Sequence, residues 1–196
     1  MRRGEGLPKQ VRSLLAHYGL RAKKSLGQHF LIDEGVLHCI ISAAELTSED
    51  TVIEVGPGLG VLTKELARRA RRVVAIEADA KLVSALGGIL GAFPNVSVIC
   101  SDILQTDLTL LLASSGVELS ASPYKVVANI PYYITSPILR YFLEASPKPC
   151  LMVVMVQKEV GEAIVAQPGE MGLLAISVQF YGKPKIVDYV PARSFY

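Results

Sequence analysis

The sequence predicts an α/β fold, with a mostly parallel central sheet flanked by helices. Three observations point there. Short apolar, β-branched runs alternate with runs of helical period along most of the chain. Those strand-like runs are apolar at nearly every position instead of every second one, which marks strands covered on both faces. A glycine-rich turn, Gly56-Pro57-Gly58-Leu59-Gly60, follows the first such run and opens a helix, the position where open α/β sheets bind nucleotide-like ligands.

Two helices precede the first strand. Val11, Leu14, Leu15 and Tyr18 recur at helical spacing within Lys9 to Tyr18, and Gly19 ends that run. Asp33 caps a second run, Glu34 to Leu46. Thr51 to Val55 reads as strand, Leu62 to Arg69 as helix, Arg72 to Glu77 as strand and Ala80 to Leu90 as helix. Val96 to Cys100 is a third strand, Leu104 to Ala113 a helix or turn, Tyr124 to Ala128 a fourth strand, Ser136 to Glu144 a helix, and Cys150 to Val156 a long buried strand. Lys158 to Ala166 reads as helix, broken at Gln167-Pro168-Gly169. Leu173 to Phe180 fits helix or strand by periodicity alone, and Lys185 to Val190 reads as the start of another strand.

Length and composition bound the rest. The 196 residues, 51% of them hydrophobic, suffice for one domain with a sizeable core. The net charge of +2 hides an asymmetry, because residues 1–30 carry +6 and residues 31–196 carry −4. A basic N-terminal segment of that kind is either a solvated tail or a contact for phosphates. Cys39, Cys100 and Cys150 are odd in number, far apart and set among apolar residues, so they read as reduced core thiols of a cytoplasmic protein. No run is long enough to span a bilayer, and the three histidines have no ligand-like spacing, so neither a membrane nor a metal is expected.

The fourth strand ends in Asn129-Ile130-Pro131-Tyr132. Pro131 fixes φ and keeps Ile130 out of the helical region, so the chain stays extended where it leaves the sheet. A flat, nitrogen-bearing ring could be held there: Asn129 both donates and accepts, Ile130 offers a carbonyl and Tyr132 a ring face. A turn whose Asn caps the next helix and whose Tyr packs inward would use the same residues.

The glycine turn narrows the ligand. A dinucleotide fingerprint needs Gly at position 61, which holds Val61, and no Gly-Lys-Ser/Thr follows for a P-loop. What remains suits an uncharged or zwitterionic nucleoside. Glu77 ends the second strand 21 residues after Gly56, a spacing at which a carboxylate accepts both hydroxyls of a ribose. Asp102 after the third strand could accept from an adenine amine, and Glu54 beside the first turn could face an ammonium. Together they point to an adenosyl ligand.

At this point the chain resembles the rRNA adenine N6-dimethyltransferases, class I S-adenosylmethionine-dependent methyltransferases with a Rossmann-like fold, in their KsgA-like small-subunit branch. The resemblance runs from about Lys23 to Phe195. It rests on Lys24 to Leu31, Glu54 to Gly60, Glu77, Asp102, Asn129 to Tyr132, Gln157-Lys158-Glu159-Val160 and Val190-Pro191. It implies N6,N6-dimethylation of adjacent adenines in small-subunit (16S) rRNA during ribosome biogenesis, with the rRNA of a pre-ribosomal small subunit as partner and the enzyme monomeric. It further implies S-adenosyl-L-methionine as cofactor, held by Gln28, His29, Leu31, Glu54, Gly56, Gly58, Glu77, Ala78, Asp102, Ile103 and Asn129. Asn129, Ile130, Pro131 and Tyr132 would carry the chemistry, Tyr132 and Phe195 would stack on the target base, and Arg21, Lys23 and Lys24 would contact RNA phosphates.

By the same resemblance residues 1–30 form the basic segment and residues 31–196 the catalytic domain, truncated at its C-terminal end and without the helical C-terminal domain. Three positions depart from the pattern: Ala128 replaces a usual Gly, His29 a frequent Asn, and Tyr133 a common Asn. The sister group that dimethylates a single adenine of large-subunit rRNA shares the Asn-Ile-Pro-Tyr core, but residues 157–160 and 190–191 look more like the small-subunit enzymes. A non-catalytic rRNA-binding assembly factor is the third reading, opposed by intact Gly56, Glu77, Asp102 and Asn129.

Overall fold

A parallel ladder built from the β-branched runs organises the molecule. The computed structural model describes residues 6–22, 28–114, 116 and 123–196. Helix α1 (Leu7–His17) has Pro8 in its first turn, and α2 (Glu34–Ala43) is capped by Asp33, whose Oδ1 accepts from the main-chain N–H groups of Gly35 and Val36 at 2.9 and 3.2 Å. There follow β1 (Thr51–Val55), α3 (Val61–Ala67), β2 (Arg72–Glu77), α4 (Ala80–Leu90), β3 (Val96–Cys100), α5 (Leu108–Ser114), β4 (Tyr124–Asn129), α6 (Thr135–Glu144), β5 (Leu151–Met155), α7 (Lys158–Ile164) and α8 (Leu173–Tyr181). Single 3-10 turns stand at Ile103–Gln105, Tyr132–Ile134 and Ala192–Ser194.

The strand order is β3-β2-β1-β4-β5 and every pairing is parallel. The chain winds outward from β1 through β2 to β3, then returns to the other side of β1 for β4 and β5. The reversal leaves a crevice beyond the carboxyl ends of β1 and β4, the topological switch point of the sheet.

Alternation along each strand sorts the side chains onto two faces. Ile53, Val55, Val74, Ile76, Val126 and Ala128 face Leu108 and Leu112 of α5 and Ile138 and Phe142 of α6. Val52, Val73 and Val127 face Ile40 and Ile41 of α2 and Leu62, Leu66 and Ala67 of α3. Leu66 is fully buried, so truncating it to Ala should cost about 2–5 kcal/mol. The same alternation puts Glu54, Glu77 and Asn129 on this second face, at the carboxyl ends of their strands. Helix α1 docks its stripe Leu7, Val11 and Leu15 against Phe30, Leu59 and Leu82, beside the glycine turn.

Four elements fall on the expected residues: β1, β2, α4 and β3. The stretch expected as helix or turn after β3 is both, because Asp107 restarts the chain: its Oδ1 accepts from Thr109 and Leu110 N–H and opens α5. Leu173 to Phe180 is helical. Lys185 to Val190 is not a strand; it runs between Pro184 and Pro191 with no ladder partner among the described residues, and a strand exists only through such a partner. The cysteines are free as expected but not core thiols, since Cys100 and Cys150 are exposed and Cys39 half-buried. Cys100 ends an edge strand, and Cys150 precedes the other edge strand, where its thiol donates to the Tyr124 carbonyl at 3.3 Å. Apolar neighbours in sequence do not bury a residue at a strand end.

Candidate active site at the switch point

A cavity of about 450 Å³ lies in the crevice beyond β1, β2, β3 and β4. Its floor is the glycine turn. Gly56 has φ +69° and Gly58 φ +58°, and a Cβ on Gly58 would sit 3.1 Å from the Phe30 ring. Both the left-handed backbone and the close approach of Phe30 therefore require glycine at 58. The turn is tied to β2 by Glu77, whose Oε2 accepts from the Gly58 N–H at 3.3 Å while Oε1 accepts from the Asp79 N–H at 2.9 Å. Burial pushes the Glu77 carboxyl above its ordinary pKa, the Asp79 and Gly58 N–H groups pull it back, and the Asp79 charge adds to the rise.

The walls carry more carboxylates. Asp79 caps α4 through the Lys81 N–H and accepts from Gln28 Nε2 at 3.4 Å. Asp102 caps the 3-10 turn after β3, with Oδ1 accepting from the Leu104 N–H at 3.0 Å, and still lines the cavity. Among the described residues no Lys or Arg lines it. Three carboxylates without a cation repel a phosphate or pyrophosphate and favour a ligand of net positive charge.

At the mouth stands the end of β4. Asn129 Nδ2 donates to the His29 carbonyl at 3.0 Å, which leaves Oδ1 as an acceptor. The His29 ring stacks on Tyr132 with centroids 5.3 Å apart and meets Phe195 edge-on at 6.3 Å. Phe195 is held there because residues 30–33 and 194–196 bind each other. Ile32 N–H donates to the Ser194 carbonyl, Tyr196 N–H to the Phe30 carbonyl, and the Ser194 hydroxyl to Asp33 Oδ2 at 2.8 Å. That hydroxyl is the largest influence holding the Asp33 carboxyl below its ordinary pKa.

Of the residues expected at the site, Gln28, His29, Gly56, Gly58, Glu77, Ala78, Asp102, Ile103, Asn129 and Pro131 all line this cavity. Tyr132 and Phe195 instead line a second cavity of about 1090 Å³, and His29 is a wall of both. Ile130 is buried in the core, donating its N–H to the Met155 carbonyl. Leu31 is buried too, bridged to Phe195, and does not line the cavity. Glu54 lies beneath the turn, 1% exposed, and does not reach the cavity surface either. Arg21 is exposed, whereas Lys23 and Lys24 lie outside the described residues.

Sequence reasoning missed Asp79, Phe30 and Tyr133 as cavity residues. Asp79 had a signal, since a second acid two residues after a strand-end Glu, before a helical run, is both cap and wall. Phe30 had none, because its role appears only once α1 and the glycine turn meet around it.

Residues 19–196 match the family model described as ribosomal RNA adenine dimethylase. The chain is 57% identical over 187 residues to a protein named ribosomal RNA small subunit methyltransferase A from Dehalococcoides mccartyi (strain ATCC BAA-2266 / KCTC 15142 / 195), covering 95% of this chain and 62% of that one. It thus spans about three fifths of that relative's length. Among solved structures it is similar to a dimethyladenosine transferase from Plasmodium falciparum, with a TM-score of 0.65 and 29% identity over 77% of this chain and 52% of the other. It is also similar to the 23S rRNA methyltransferase ErmE, with a TM-score of 0.63 and 33% identity over 75% of this chain and 55% of the other.

Proposed function

The chain belongs to the ribosomal RNA adenine dimethylase family, and on that premise we propose that it is the S-adenosylmethionine-dependent catalytic domain that forms N6,N6-dimethyladenine at adjacent adenines of small-subunit rRNA. The observation that carries this reading is the cavity itself. It presents Glu77, Asp79 and Asp102, with no Lys or Arg among its described lining residues, and opens onto Asn129 at the end of β4. The small-subunit name borne by the bacterial relative supports the substrate.

The residues fit the cofactor on their own chemistry. The left-handed turn leaves no Cβ between a ligand and the backbone at Gly56 and Gly58. Glu77 accepts from the Gly58 and Asp79 N–H groups, with the Ala78 N–H also bearing on it, and the four lone-pair sites of a carboxylate still leave acceptor capacity for a ribose hydroxyl. Asp102 would take the adenine amine, and Gln28 and His29 would close over the methionine end. When bound, S-adenosylmethionine supplies an electrophilic methyl on a sulfonium.

The protein's part is positioning and electrostatics. An adenine amine is a poor nucleophile because its lone pair is delocalised into the ring. Asn129 Oδ1 and the Ile130 carbonyl accept from that amine as it pyramidalises, while Tyr132 and Phe195 hold the ring. The base must arrive unstacked, which suits a loop or single-stranded site in a pre-ribosomal small subunit. Arg21, Lys23 and Lys24 would then lie on its phosphates.

The test is primer-extension mapping of methylated adenines after the protein is incubated with S-adenosylmethionine and unmethylated small subunits. Stops at an adjacent adenine pair of small-subunit rRNA support the reading. Modification of a single adenine in large-subunit rRNA, the outcome that the likeness to ErmE would favour, or no modification of either subunit, overturns it.

A further inference from the structure

The proposed chemistry leaves unused a polar pair buried directly under the glycine turn. Glu54, on β1, is 1% exposed, and Thr63, on α3, is fully buried. Among the described residues, Glu54 Oε2 and Thr63 Oγ1 have no hydrogen-bond partner. The Thr63 hydroxyl is near enough to ease a charge on Glu54 without closing a bond of ordinary geometry to Oε2. A buried carboxylate in that position would be uncompensated, so the neutral acid is the form that the folded domain accepts.

Glu54 is not isolated from the cavity, however. It shares a sheet face with Glu77 and Asn129, and Glu77 both lines the cavity and bears electrostatically on Glu54. Among the described residues, the charged or titratable groups on the neighbouring elements are Lys64, next to Thr63 on α3, and His29, Asp79 and Asp102, which line the cavity that Glu54 does not reach. The charge that bears on Glu54 is that of Glu77, an acid, and among the described residues no Lys or Arg lines the cavity above it.

We infer that Glu54 is a positioning residue that holds its proton while the cavity carries no cofactor and releases it when a cationic cofactor binds, so that cofactor binding is coupled to loss of a proton. The inference rests on the proposed use of S-adenosylmethionine, whose sulfonium and ammonium outweigh its one carboxylate. The step breaks the O–H bond of the Glu54 carboxyl, leaves the electron pair on oxygen and passes the proton to solvent. The resulting carboxylate stabilises the cation from below the turn, at a distance, while Glu77 meets the ligand directly. Burial, with a smaller push from Glu77, raises the Glu54 pKa to about 8, so the group is mostly protonated at neutral pH before binding. Affinity should consequently rise with pH, by up to about tenfold per unit below pH 8, and flatten above it.

The experiment is calorimetric titration of S-adenosylmethionine into the protein at pH 7 in phosphate and in Tris, two buffers of very different ionisation enthalpy. The expected result is a heat that differs between buffers by more than half a proton released, with the difference abolished in Glu54→Gln. A buffer-independent heat, or a difference that persists in Glu54→Gln, overturns the inference and leaves the proposed cofactor standing. Absence of any binding overturns the cofactor reading itself. Should Glu54→Gln not fold, infrared difference spectra of the unmutated protein decide the matter. Loss of a protonated-carboxyl band on adding S-adenosylmethionine is expected, and an unchanged band overturns the inference.

Discussion

The side-chain amide of Asn129 donates to the main-chain carbonyl of His29 across 3.0 Å, joining two residues 100 positions apart. The bond fixes which end of the Asn129 amide faces the cavity mouth. It also anchors the segment whose His29 ring stacks on Tyr132. In the proposed function, one side chain thereby sets both the acceptor offered to a base and the ring that neighbours Tyr132.

Glu77 binds the glycine turn through the Gly58 N–H, and in the proposed function its carboxylate also accepts from the ribose. Glu77→Ala should weaken S-adenosylmethionine binding by roughly 1–3 kcal/mol, the cost of stranding polar groups that lose a charged acceptor. Calorimetry with and without EDTA checks this, and unchanged affinity in the mutant would remove Glu77 from the site.

At Gly58 the constraint is steric. A side chain there meets Phe30 at 3.1 Å in a left-handed backbone, which costs an L-residue about 1–2 kcal/mol before any clash. Gly58→Ala should lower both the urea midpoint and cofactor affinity. Gly87→Ala, exposed within α4 where a Cβ meets nothing within 4 Å, should lower neither.

The frame of the molecule was legible because each strand carries its own apolar run and each turn its own glycine, proline or acid. The positions of Glu77, Asp102 and Asn129 followed from one rule, that ligands gather beyond the carboxyl ends of parallel strands. Leu31 and Glu54 could not be placed that way. Leu31 is buried because residues 194–196 return to bind residues 30–33, a long-range pairing that no local pattern encodes. Glu54 shares its sheet face with Glu77 and Asn129 but stands one residue before the end of β1, whereas those two are the last residues of their strands, so it stays buried and only they reach the cavity.

Glu54 also bears on stability. Its pKa stands above the ordinary carboxyl value of 4.5 and reaches about 8 in the folded domain. This contribution to stability is therefore fully present below about pH 4.5 and is lost as pH rises through about 8. Removing the charge should reverse that loss. In urea titrations Glu54→Gln should gain on the unmutated protein between pH 5 and pH 8, at up to roughly 1.4 kcal/mol per pH unit. A gap between the two proteins that does not change with pH would show that Glu54 ionises as easily folded as unfolded.

The basic N-terminal segment should make rRNA binding salt-dependent. Replacing Arg21, Lys23 and Lys24 together with Ala should reduce the magnitude of the log-affinity against log-salt slope by roughly 2, at about 0.7–0.9 for each phosphate that is no longer neutralised. An unaltered slope would mean that these charges stay in solvent.

Asn129 separates chemistry from cofactor binding, and single-turnover methylation of saturating small subunits, with S-adenosylmethionine affinity measured in parallel, is the direct test. If Asn129 Oδ1 acts on the adenine amine in the transition state, Asn129→Ala should bind cofactor nearly as well and lose roughly 2.7–4 kcal/mol of rate, the size expected for a preorganised hydrogen-bonding group at a reacting centre. Normal single-turnover rates from a folded Asn129→Ala protein would contradict the account and reduce the end of β4 to a turn that packs.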